Sequence, residues 1–198
     1  MYKSRAIYSH KKAQMIGKER AIRISKYLSL VLRHNPAAAG VTLDGEGWVG
    51  VEDLLAGAAR QGFSFTRAEL EDVVQQSDKQ RFAFSPDAQS IRANQGHSVS
   101  VDLGLTPETP PDVLYHGTVD RFLSSIMSHG LEKRSRQHVH LSPDVDTATR
   151  VGSRRGKPII LKIDAASMHS AGFTFFRSAN GVWLTDHVPP QYISRIVE

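Results

Sequence analysis

The chain has 198 residues, 40% of them hydrophobic and 23% charged, with no cysteine and a formal net charge of +5. That length allows one or two domains with a real core, and the composition excludes fibrous, low-complexity and disulfide-stapled classes. No apolar run approaches the roughly 18 residues of a membrane span and no apolar leader opens the chain, so a cytoplasmic protein with no membrane partner is expected.

The charge is concentrated at one end. Residues 1–26 hold eight Lys/Arg and one acid, whereas residues 27–110 hold six basic and eleven acidic side chains. The basic stretch over residues 1–21 reads as an N-terminal extension. It is open to two interpretations, a solvated tail or an arm drawn to phosphate backbones by counterion release.

Residues 23–34 predict a helix, with Ile24, Tyr27, Leu28, Val31 and Leu32 near i, i+3, i+4, i+7 spacing. Pro36 ends it by restricting Asn35 and withholding a donor. Residues 51–61 predict a second short helix, and Thr66 with Glu69 forms a capping box for a third, with Leu70, Val73 and Val74 as its buried stripe. Residues 81–84 and 90–93 flank Pro86-Asp87 as a β-hairpin, with Phe82 and Phe84 on one face and Arg81 and Ala83 on the other. Three helices followed by a hairpin, over residues 22–103, is a winged-helix pattern. Pro107, Pro110 and Pro111 stiffen a connection over residues 104–112. Past it, strands are expected at 113–116, 138–142, 158–163, 182–186 and 192–197. A helix carrying Phe122, Ile126 and Met127 lies between the first two and stops at Gly130. Residues 113–198 therefore predict a second lobe with a split or sandwiched sheet, and the whole chain an α+β protein.

Five segments carry the chemistry. Arg33-His34-Asn35-Pro36 ends a helix in positive charge, where the helix dipole favours cations. Arg81 opens the hairpin, and Arg154 and Arg155 sit in a turn bounded by Gly152 and Gly156. Arginine suits phosphate because its planar fork binds two oxygens at once. Tyr115-His116-Gly117-Thr118 sets a histidine beside a glycine, where backbone can approach a ligand closely. His138 and His140 alternate on a strand and share one face. With no Asp, Glu or Cys at ligand spacing they predict no metal site. None of these segments contains a carboxylate. Together they predict a site that holds two polyanionic molecules at once.

In these segments the chain resembles the RNA (tRNA) 2′-phosphotransferase family. The matching residues are Ser25 to Ser29, Leu32 to Pro36, Lys79 to Phe82, Ile91 to Ser98, Tyr115 to Thr118, His138 to Ser142, Val151 to Pro158 and Asn180 to Thr185. The resemblance implies an N-terminal winged-helix-like lobe that binds RNA and a C-terminal ADP-ribosyltransferase-like lobe that binds NAD. By position, Arg33, His34, Arg81 and Arg154 match the family's phosphate-binding tetrad. His116, with Gly117 and Thr118, matches the motif that holds the NAD ribose. His140, two residues before Ser142, falls where many ADP-ribosyltransferases carry a nicotinamide-stacking tyrosine, and Val182 falls where they carry a catalytic glutamate. Arg155 departs from the family, which often has histidine there.

The implied reaction consumes NAD and uses no metal. An internal 2′-phosphate on a tRNA-like substrate attacks the anomeric carbon of NAD and expels nicotinamide. The ADP-ribose 2″-hydroxyl then attacks the phosphorus, leaving a free RNA 2′-hydroxyl and ADP-ribose 1″,2″-cyclic phosphate. A phosphate monoester carrying roughly 1.5 to 2 negative charges needs no carboxylate base, and a glutamate beside it would repel it. Two other readings stay open at this level: ADP-ribosylation of terminal phosphates on RNA or DNA, and a non-enzymatic winged-helix binding protein. A monomer is expected.

Overall fold

The computed structural model describes residues 16–77 and 79–196. The first helix, α1 (Lys18–Arg33), begins five residues before the apolar periodicity does. Its extra turns carry no buried stripe, and polar contacts hold them instead. Arg20 Nε lies 3.0 Å from Glu69, and the backbone N–H of Ile16 donates to the Asp72 carboxylate at 3.2 Å. Arg20 and Arg23 also lie over the ring of Phe63, at 5.7 and 5.8 Å. The boundary of the basic extension therefore shifts: Lys18, Arg20, Arg23 and Lys26 belong to a helix. Residues 1–15, which hold the rest of the proposed arm, lie outside the described residues.

A single 3-10 turn at Pro36–Ala39 follows, then β1 (Val49–Gly50), α2 (Val51–Arg60), α3 (Arg67–Gln75), β2 (Phe82–Phe84) and β3 (Ser90–Ala93). The capping box of α3 forms as expected. Thr66 Oγ1 accepts from the N–H of Glu69, whose carboxylate in turn accepts from the N–H of Thr66. The hairpin gains a third strand, giving the antiparallel order β1-β3-β2. One core fills this half, built from Ile24, Leu28, Val31 and Leu32 of α1, Leu54 of α2, Leu70 of α3, and Phe82 and Ile91 of the sheet. Burying each such side chain contributes about 1.5–3 kcal/mol.

The second half contains β4 (Val113–Thr118), α4 (Asp120–His129), β5 (Leu131–Glu132), β6 (Val139–Leu141), α5 (Val145–Gly152), β7 (Ile159–Asp164), α6 (Ala165–Ser170), β8 (Phe175–Arg177), β9 (Trp183–Thr185), β10 (His187–Val188) and β11 (Ile193–Arg195). Two three-stranded antiparallel sheets, ordered β11-β7-β4 and β6-β9-β8, meet where Tyr115 and Ser142 exchange backbone hydrogen bonds of 2.9 and 2.7 Å. The expectation of a mixed α+β chain is met. Helices α5 and α6 were not foreseen, since neither is long enough to show a period. Each starts on an aspartate that caps it, Asp144 on the N–H of Thr147 and Asp164 on that of Ser167. The proline-bearing connection docks on β8, where Pro107 bridges Phe176 and the N–H of Glu108 donates to Phe175.

A second core, with Leu114, Leu161, Ile163, Met168 and Phe175, fills this half. Hydrogen bonds tie the two halves together. Gln137 donates its backbone N–H to His97 O at 3.2 Å and its side-chain amide to Val101 O at 2.9 Å. Asn180 Nδ2 donates to Lys79 O at 2.8 Å. These contacts set the spacing between the segments that bear the predicted site.

Candidate functional site

Arg33 lies in the last turn of α1, its guanidinium 5.7 Å from the ring of Phe82 and its Nη2 donating to Arg81 O at 3.4 Å. The next residue, His34, caps the helix, and its Nδ1 lies 2.9 Å from Ser98 Oγ. The N–H of Ser98 donates to the Arg33 carbonyl at 2.8 Å, so the segment after β3 is bonded to the helix end. Arg81 precedes β2 and is held by Asn94, whose N–H donates to Arg81 O and whose side chain donates to Gln80 O. Gln80 has φ 38°, a left-handed conformation that a non-glycine residue adopts only under such support.

The second half contributes from three directions. Arg154 and Arg155 lie in a 3-10 turn, Ser153–Arg155, that closes α5. On β4, the His116 Nδ1 lies 3.1 Å from His140 O. A carbonyl only accepts, so Nδ1 carries the proton and Nε2 is left as an acceptor. On β6, the His140 Nδ1 lies 3.0 Å from Nη1 of Arg136. Gly96, at φ 88°, stands between the halves; a Cβ there would lie 3.6 Å from both Arg33 Nη1 and His140 Cε1. Those are ordinary contact distances, so it is the left-handed backbone that favours glycine there.

Electrostatics joins these side chains into one cluster. Burial, then Arg81 and Arg136, lowers the Arg33 guanidinium to about 10, which leaves it charged at neutral pH. Burial and Arg154 lower Arg81, and burial with Arg155 and Arg154 lowers Arg136. Burial holds His34 down, with Arg33 and Arg136 adding to it. Burial also lowers His116, assisted by Arg155 and Arg136 against the opposing bond to His140 O. Every charged neighbour that shifts these groups is a cation. The protein thus gathers Arg33, Arg81, Arg136, Arg154 and Arg155 with no carboxylate to balance them, an arrangement that an anionic ligand stabilises. Among the described residues, no group of three or more His, Cys, Asp or Glu is placed to hold a metal ion.

The structure therefore brings Arg33, His34, Arg81, Arg154, His116 and His140 together. Thr118 and Ser142 are buried on β4 and just past β6. Val182 closes a turn by accepting from Ser178 N–H at 3.0 Å, one residue before the Leu141–Trp183 pair. Gly117 differs from its sequence reading. The space its side chain would take is filled by α5 backbone, with Ala148 O only 1.9 Å from an added Cβ.

Two residues escaped the sequence reading. Arg136, in the loop before β6, is tied to that strand through His140; its signal was its place two residues before His138. His97 is only 1% exposed, both its ring nitrogens lack partners, and burial beside Arg33 lowers it to about 4. A cavity of about 480 Å³ lined by Arg136, Gln137, His138 and Phe176 opens beside the cluster. Another of about 490 Å³, lined by Asp44, Trp48, Asp53 and Arg60, includes none of the cluster's residues.

The chain as a whole is similar to known sequences. Residues 19–187 match the model of the RNA 2′-phosphotransferase, Tpt1 / KptA family. A protein of Streptomyces griseus is 55% identical over 185 residues, 90% of this chain and 98% of its own length. One of Hahella chejuensis is 57% identical over 170 residues, 86% and 91% of the two chains, and one of Nostoc punctiforme is 55% identical over 177 residues, 89% and 98%. Each carries the name "Probable RNA 2'-phosphotransferase". With a match that spans both halves and every segment of the cationic cluster, the chain belongs to the Tpt1/KptA RNA 2′-phosphotransferase family.

Proposed function

We propose that this protein removes an internal 2′-phosphate from RNA and does so at the expense of NAD. The RNA phosphotransferase activity rests on family membership and on relatives matched over nearly their whole length. The observation that carries the finer reading is the carboxylate-free cluster of Arg33, Arg81, Arg136, Arg154 and Arg155 between neutral histidines. That donor set fits a phosphate monoester together with a dinucleotide pyrophosphate, and it contains no carboxylate of the kind that deprotonates a hydroxyl acceptor.

NAD fits the second half of the site. His116 keeps an unprotonated Nε2 that accepts from a ribose hydroxyl, and Thr118, Ser142, Val182 and His140 line the same strands. When bound, NAD supplies an anomeric carbon with nicotinamide as its leaving group. Arg33, His34, Arg81 and Arg154 orient the RNA phosphate. The three guanidinium charges then stabilise the extra negative charge on phosphorus as its oxygens rearrange, an electrostatic contribution. His34, neutral near pH 7 and held by Ser98, offers a hydrogen bond to a phosphate oxygen.

The decisive assay incubates the protein with NAD and an RNA bearing one internal 2′-phosphate. Loss of the phosphate with release of nicotinamide and a cyclic phosphate of ADP-ribose is expected. Retention of the 2′-phosphate, or stable ADP-ribose on a terminal phosphate in its place, overturns the reading.

A further inference from the structure

The pairing of Arg136 with His140 is the one contact within the cluster in which a cation bonds the ring nitrogen of a histidine. An arginine has no acceptor, so the 3.0 Å approach of Nη1 to Nδ1 requires a lone pair on Nδ1. The proton of the neutral ring must then sit on Nε2. Among the described residues no group bonds Nε2, and it is not among the buried unpartnered atoms, so it keeps access to the cleft. The backbone of His140 is used separately, its carbonyl accepting from His116. His116 and His140 therefore present opposite polarity: an open acceptor on one ring and an open donor on the other.

From this geometry, and resting on the phosphotransferase reading above, we propose that Arg136 is a positioning residue. It holds the imidazole of His140 through Nδ1, so that Nε2–H faces the dinucleotide as a neutral hydrogen-bond donor beside the bond that breaks. The role differs from phosphate binding by the neighbouring arginines, because Arg136 acts through another side chain. It also accounts for a histidine at a position where a phenol is usual in ADP-ribosyltransferases: a neutral ring with one N–H reproduces an aromatic face with one donor.

The groups facing His140 all push it the same way. Burial is the largest influence, followed by Arg136 from the preceding loop, Arg33 from α1, His138 from its own strand and His116 from β4, and together they lower it to about 3. No carboxylate is among them. Removing Arg136 therefore raises the protonation point of His140, while burial and Arg33 keep it below the ordinary value of about 6.5. A protonated His140 would present a charge to a leaving group that departs neutral.

The test uses the full chain with ¹⁵N-labelled histidine and two variants, Arg136→Ala and Arg136→Gln. In the native protein the His140 ring is expected to show a protonated Nε2 and a bonded Nδ1 from pH 8 to 5, with no titration. Arg136→Ala should lose the Nδ1 signature and bring the titration of His140 into that window. Arg136→Gln, whose amide can still donate to Nδ1, should restore the signature. In parallel, nicotinamide release by Arg136→Ala should fall by on the order of ten- to a hundredfold. The ratio of that variant's rate to the native rate should drop further as pH is lowered, which cancels titration of the substrate phosphate. An unchanged Nδ1 signal and an unchanged titration in Arg136→Ala overturn the proposal. Because the spectra need no turnover, an inactive protein with the expected spectra refutes the phosphotransferase reading alone.

Discussion

Gly96 and Gly117 show how single residues decide what the site can be. Gly96 supplies the left-handed turn that passes between Arg33 and His140, and Gly117 lets α5 press against β4. Gly117→Ala places a methyl 1.9 Å from a backbone oxygen that no rotamer can move, so it should destabilise the protein by a few kcal/mol, at the upper end for single substitutions. Thermal unfolding measures this, and an unchanged melting temperature would refute the packing described. Arg81 and Arg154 repel one another across the two halves, and on the proposed mechanism they would act most in the step in which phosphorus changes partners. Arg81→Ala or Arg154→Ala should accumulate ADP-ribosylated RNA. The corresponding lysine variants should recover little, since a point charge lacks the guanidinium fork. Gel analysis of single turnovers reads the intermediate directly. The arginines of known motifs were legible from the sequence. His97 was not, because what marks it is proximity to side chains far along the chain, and Arg136 was passed over although it lies only four residues before the histidine it bonds.

At the level of elements, those with an apolar period and a cap were readable, and those built from polar contacts were not. The capping box on α3 could be read from Thr66 and Glu69 alone, and Thr66→Ala should lower stability by about 1 kcal/mol in a denaturant titration. The early start of α1 was hidden because Arg20 and Glu69 are 49 positions apart. For α5 and α6 the signal existed, an aspartate three residues before a threonine or serine, but such short patterns are common by chance. The strands that were expected lie within a residue or two of their places, but β1, β5, β8 and β10 were missed, being two or three residues long, and the Tyr115–Ser142 bridge that joins two of the sheets is encoded by no local pattern. The segment after β3 is the element that most directly shapes the site, being bonded to Arg33 O on one side and to Gln137 on the other. Gln137→Ala removes the side-chain bonds to Val99 O and Val101 O. It should weaken RNA and NAD binding together, read as a rise in both KM values with stability reduced by about 1–2 kcal/mol.

For the molecule as a whole, the distribution of charge predicts its response to pH and salt. His97 and His140 are lowered to about 4 and about 3, and burial is the main cause for both. Below the ordinary histidine value of about 6.5 the unfolded chain binds protons that the folded protein refuses. The stability these residues contribute is thus fully present above that pH and drains away as pH falls toward 4. Melting temperatures should decline across that window, and His97→Gln should flatten the decline. A deletion of residues 1–15 removes four basic residues and no acid. It should weaken RNA binding and flatten its salt dependence without altering NAD affinity. Extending the deletion through Arg20 should also cost stability, since it severs the pair with Glu69.

The division of the site between two separately cored halves has a consequence for quality control. Arg33, His34 and Arg81 come from one core, and His116, His140 and Arg154 from the other. On the proposed reaction, a truncated, nicked or half-folded chain therefore owns an incomplete set of reacting groups and should leave the RNA phosphate untouched until both halves have folded. Two inert fragments, divided within the connection at residues 104–112, would regain activity only on meeting, which makes the intact cleft its own certificate of assembly.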